Sequence, residues 1–232
     1  MLFDLKGKRR RVVQGVSLTL AVPKAGGLVF FGIGGASNGG LLDAFKGGGG
    51  GSSADKTMKK EIAAMEARLA TNPQDQAALV TIATDNYRLA AEKADPNTGV
   101  FTDKAKDNLN AADSAWQKYL ALNPPKPNDT LAGYMLQAYS QAGLNKPDKA
   151  KQAAEIFSEA HPSSNAYINV VLYASLAGDT RTAKLAGQKA LQLAPKGQRS
   201  SVKALIQQAE AAGATSASSG ATGATGTTGS GG

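Results

Sequence analysis

Few side chains here could do covalent or acid–base chemistry: the 232 residues include one histidine and no cysteine. His161 stands directly before Pro162 and beside Ser163 and Ser164. A serine nucleophile needs a base that is itself held in place. The one base beside these serines is His161, and both residues have simpler roles. Ser163 reads as a helix N-cap, and His161 as a turn residue at a helix C-terminus, where partial positive charge is favoured. Asp103, Asp107 and Asp113 lie along a helix that must also present Ala112 and Trp116 to a core, so they read as solvated surface acids. With neither a second histidine nor a thiolate, no His- or Cys-based metal cluster forms. Gly32, Gly34 and Gly35 fail the dinucleotide-binding pattern G-x-G-x-x-G, because Ser37 occupies the last glycine position. The expectation is no enzyme, no metal, no cofactor and no small-molecule substrate.

The net charge of +8 is unevenly placed. Lys6, Lys8, Arg9, Arg10 and Arg11 crowd residues 1–11, while 19 Lys and Arg face 16 Asp and Glu from Ser52 onward. A nearly neutral body without a basic, aromatic-interleaved helix face predicts no nucleic-acid partner.

The elements that would position any site are helices. From Pro162 to Pro195, Tyr167, Val170, Val171 and Ala174 repeat at the spacing of one buried helix face. Gly178-Asp179 breaks that helix. Ala183, Ala186, Gly187, Ala190, Leu191 and Leu193 then form a second stripe, narrow enough for close helix–helix approach. Two such helices cannot bury both faces alone, which implies stacked neighbours. The same offsets recur: Ala190, Gly187 and Ala183 before Pro195, Phe157, Ala154 and Ala150 before Pro162, Tyr119, Trp116 and Ala112 before Pro124. Three hairpins are therefore predicted, at about 74–123, 128–161 and 163–194. An opening helix over 55–70 precedes them and a polar-backed capping helix over 198–212 follows. Asp95–Gly99 is a turn-rich insertion inside the first hairpin.

This pattern resembles the tetratricopeptide repeat (TPR) family over roughly 55–212, with proline spacings of 33, 38 and 51 in place of the family's 34. The resemblance implies an all-α, TPR-like helix–turn–helix solenoid whose first helices line a peptide-binding groove. It places Thr84, Tyr87 and Arg88, then Gln137, Ser140 and Gln141, then Asn165, Leu172 and Ser175 on that groove. The implied ligand is a protein or peptide bound by amide and hydroxyl contacts. The family's carboxylate clamp is not matched, because its positions hold mainly Val80, Gly133, Ile168, Thr84 and Gln137. Only Arg88 could anchor an acid.

Ahead of the helices, residues 12–35 are mostly apolar and follow the basic cluster, as expected of a single transmembrane signal anchor with its N-terminus inside. Lys24 lies mid-span and opposes insertion by about 2.5–3.5 kcal/mol, against about 3–7 kcal/mol from the Leu, Ile, Phe and Val residues. A cleavable signal peptide ending near Ala25 is the alternative. Residues 36–54 read as a glycine-rich linker. Residues 213–232 contain only Gly, Ala, Ser and Thr and are expected to be a disordered tail. The similarity to bacterial membrane-tethered TPR proteins implies a helical domain displayed outside the cytoplasmic membrane as an adaptor or scaffold. A self-associating accessory subunit and a secreted binding module are the rivals.

Overall fold

The computed structural model describes residues 51–221. Four side chains open helices there by the same device. Asp75, Asn128, Ser163 and Asp179 accept hydrogen bonds from the amides of Ala78, Leu131, Ala166 and Thr182 at 2.9, 2.8, 3.1 and 3.0 Å, each satisfying a donor that the helix cannot. The Ser163 bond is the cap expected from sequence.

The described residues are all-helical. They form α1 (Gly51–Thr71), α2 (Gln76–Ala91), α3 (Asp103–Ala121), α4 (Asp129–Ala138), α5 (Pro147–Ala160), α6 (Ser164–Leu176), α7 (Thr180–Leu193) and α8 (Arg199–Ala221), with a 3-10 turn at Lys196–Gln198. Within these residues the only extended pairing is one bridge, Ala94 to Phe101. It closes the Asp95–Gly99 insertion, where the Asp95 carboxylate accepts from the amides of Asn97 and Thr98 at 2.9 Å and Gly99 adopts φ +69°, a conformation that costs glycine little.

Consecutive helices pack as three hairpins, α2 on α3, α4 on α5 and α6 on α7. α1 lies on α2, and α8 lies on α6 and more lightly on α7. Eight of the nine residues at the repeated offsets are buried, Ala112, Trp116, Tyr119, Ala150, Ala154, Ala183, Gly187 and Ala190, and the ninth, Phe157, is half-buried. A Cβ on Gly187 would sit 3.3 Å from Ile206 and 3.7 Å from Val171, so the glycine lets α7 close on both α6 and α8. The hairpins do not stack identically. α4 touches α2 and α3 lightly, α5 packs broadly on α6, and α4 and α6 do not approach one another.

Three sequence expectations change. Leu191 is half-buried and Leu193 is 37% exposed, because the stripe continues from Ala190 to the buried Ala194 and leaves Leu193 beside it. α8 runs past Ala212 to Ala221. There Gly213 is buried against α6: a Cβ on it would lie 2.4 Å from the Ser175 carbonyl oxygen. α1 begins at Gly51, inside the expected linker. The basic residues Lys6 to Arg11, the expected span 12–35 and most of the linker lie outside the described residues, as do residues 222–232. Among the described residues no helix is long and apolar enough to cross a membrane.

Candidate functional site

α2 and α4 meet through an aromatic pair. The rings of Tyr87 and Tyr134 stack at 4.8 Å and 9°, and Phe101 meets Tyr87 edge-on at 6.2 Å. Such geometry favours aromatic pairs beyond the area they bury. The Tyr87 hydroxyl donates to Gln137 Oε1 at 2.8 Å, and burial pushes its pKa well above the usual value. Tyr87 is thus an interior residue that fixes Gln137. Around this pair Arg88 and Gln141 are exposed, and Thr84, Gln137 and Tyr134 half-buried. Arg88 lies 3.7 Å from Asp85 on its own helix, so the one expected acid anchor is partly engaged.

The nine groove residues do not form one surface. The α2 set, Thr84, Tyr87 and Arg88, joins the α4 region that carries Gln137, Ser140 and Gln141 through the Tyr87–Gln137 bond. Ser140 is buried, with its hydroxyl unpartnered. On α6, Asn165 is exposed, Leu172 is buried, and Ser175 is half-buried with Gly213 of α8 against it. With α4 and α6 apart, nothing links this third set to the first two.

Sequence reasoning missed the densest polar cluster. Asp113 was expected at the surface, yet it is 6% exposed. The helix turn that faces Ala112 and Trp116 inward carries Asp113 in as well, against the connection between α4 and α5. Its carboxylate accepts from the Tyr139 hydroxyl at 2.7 Å, from Lys146 Nζ at 2.7 Å and from Lys149 Nζ at 2.7 and 2.9 Å. Gln117 Nε2 donates to the Tyr139 oxygen at 3.2 Å. Burial alone would raise the Asp113 pKa, but Lys146, Lys149 and Tyr139 outweigh it and hold it below the usual carboxylate range. The readable signal was an acid directly beside a core alanine. The cluster ties the first hairpin to the second and leaves no free nucleophile or base. Asp103 and Asp107 are exposed as expected, Asp103 pairing with Lys106 at 2.7 Å.

His161 caps the end of α5 and places Nε2 2.6 Å from Asp129 Oδ2 at the start of α4, a clasp within one hairpin. Among the described residues no three His, Cys, Asp or Glu gather as a metal site. Two open depressions of about 290 and 220 Å³ flank Glu155 and Glu159 on α5. Both fall below the range of pockets that enclose drug-sized molecules. Compared with known proteins, the chain matches no family model, no curated protein and no solved structure.

Proposed function

We propose that this chain is a membrane-anchored, TPR-like helical solenoid that binds a protein or peptide ligand, acting as adaptor or scaffold for an envelope protein or complex. Its expected place is the cytoplasmic membrane, held by residues 12–35 with Lys6, Lys8, Arg9, Arg10 and Arg11 inside and the hairpins outside. The observation that carries the binding role is the α2–α4 face. A stacked tyrosine pair supports a fixed amide, Gln137, with Thr84, Arg88 and Gln141 around it, on a rigid platform spanning two hairpins. Amide, guanidinium and aromatic groups at an open surface suit a peptide ligand.

The test places a photo-crosslinking residue at Gln141, in the full-length protein and in a form lacking residues 1–50, and recovers adducts from native membranes. Capture of one envelope protein by both forms, weakened by Tyr134→Ala, supports the reading. Capture that ignores Tyr134→Ala overturns it. A second reading, a self-associating accessory subunit, is favoured by the depression in which Leu185, 57% exposed on α7, lies together with Tyr167 and Val170 of α6. Light scattering that shows a stable oligomer, lost in Leu185→Lys, would select it.

A further inference from the structure

α1 is held differently from every other helix. None of its described side chains is buried, and its apolar side, Met58, Ile62, Met65 and Leu69, is half-exposed against α2. At its far end Arg68 donates to Asp75, the cap of α2. At its near end a carboxyl faces a carboxyl. The side chains of Asp55 on α1 and Glu92 at the end of α2 are within hydrogen-bonding reach of each other, and Asp55 Oδ1 is shut off from water with no donor among the surrounding groups. Two carboxylates cannot hydrogen-bond, whereas a carboxylic acid and a carboxylate can. A proton on Glu92 supplies the missing donor. The helix end assigns it there: Glu92 is the C-cap of α2, where negative charge is disfavoured.

We propose that α1 is a pH-released helix, docked on α2 while a protonated Glu92 supplies the donor that Asp55 lacks and loosened when that proton leaves. From α1, Asp55 and Lys59 face Glu92, and Lys93 lies beside it, with its ammonium directed to Asn108 of α3. Partial desolvation of an otherwise exposed side chain, then Asp55, push the Glu92 pKa from 4.5 up to about 7, against the opposing effect of Lys93 and Lys59. A second like-charge pair, acting through space, works in the same sense. Asp85 of α2 is buried with Oδ2 unpartnered. Its pKa is raised by burial and by Glu61 of α1, with Arg88 opposing. Both groups bind protons more tightly with α1 docked. Docking is therefore strongest at low pH, and the Glu92 contribution disappears as the pH rises from about 4.5 through about 7.

Hydrogen exchange of the full-length protein at pH 5, 6, 7 and 8, corrected for intrinsic rates, tests the proposal. Because Glu92 is solvent-exposed and its charge is screened, protection across residues 56–70 should fall roughly tenfold from pH 5 to pH 8. α6 and α7 should keep theirs. Glu92→Gln supplies a permanent donor and should remove most of the α1 pH dependence, leaving protection near its pH 5 level, and Asp55→Asn should remove most of it as well. A wild-type profile that is already flat overturns the proposal, as does an equal fall in α6 and α7. So does an α1 profile that either variant leaves unchanged.

Discussion

Two seams in this molecule are built around an aspartate, and they differ in what meets it. Between the first and second hairpins, Asp113 receives a tyrosine hydroxyl and two ammonium groups. Between α1 and α2, Asp55 receives another carboxyl group. The first seam has four donor contacts on one carboxylate and a lowered pKa, so it stays closed from neutral pH down through the ordinary carboxylate range. The second is satisfied only while a proton remains. A partner of opposite charge makes a fixed joint, and one of like charge makes a joint that the solvent can open.

Breaking the fixed joint should have the largest effect. Asp113→Ala leaves the Tyr139 hydroxyl without its acceptor and removes the carboxylate between two lysines, and should destabilise the domain by about 2–3 kcal/mol. Lys146 and Lys149 are over a third exposed and can turn to water, which keeps the loss below that of a sealed ion pair. Urea midpoints measure it. The matched change at the other seam, Asp55→Ala at pH 8, should shift the midpoint by less than about 0.5 kcal/mol. Equal losses would remove the distinction between the seams. A seam without charge gives an intermediate case: Gly213→Ala drives a methyl into the Ser175 carbonyl and should cost about 1–3 kcal/mol, chiefly by lifting α8 from α6.

Acid titration should separate the seams by pH. Asp113 and Asp179 are held below their usual value, the latter by Lys151 and the Thr182 amide. Their stabilisation is present above about 3.8 and is lost as the pH falls through their lower native values. Glu92 and Asp85 act in the opposite sense and at higher pH. Lowering the pH from 8 to 5 should therefore tighten α1, and only below about 4 should unfolding by circular dichroism begin to reflect Asp113 and Asp179. In Asp113→Asn the acid limb should shrink while α1 tightening persists.

The hairpins were legible because their signals are local. The N-cap at Ser163, the turn at Gly178-Asp179 and the small-residue stripe each act within one helical turn. The polar seams were not, because they depend on residues far apart in sequence. Nothing beside Asp113 announces Lys146, and nothing beside Asp55 announces Glu92. The groove residues show the same limit. Offsets along one helix placed Tyr87 and Leu172 on a face, but whether that face is open depends on what the next element covers. Here Tyr87 lies under Tyr134, and Leu172 lies in the interior of a helix overlaid by α8.

The smallest effect expected is at Arg88, and it sharpens the comparison most finely. Arg88 lies 3.7 Å from Asp85, the other acid of the α1–α2 seam, and is 44% exposed. It is a weak counterpart of Lys146 and Lys149: one distant, hydrated cation in place of two in contact. Removing it in Arg88→Ala should cost no more than about 0.5 kcal/mol of global stability. Locally, Asp85 would keep only burial and Glu61, both of which favour its protonated form. The α1 exchange profile should then steepen, with protection at pH 8 reduced by about twofold and protection at pH 5 unchanged. Arg88→Lys should restore it, because the seam needs a charge there and not a bidentate fork. If the profile ignores both variants, Asp85 plays no part in holding α1, and the release rests on the Asp55–Glu92 pair alone.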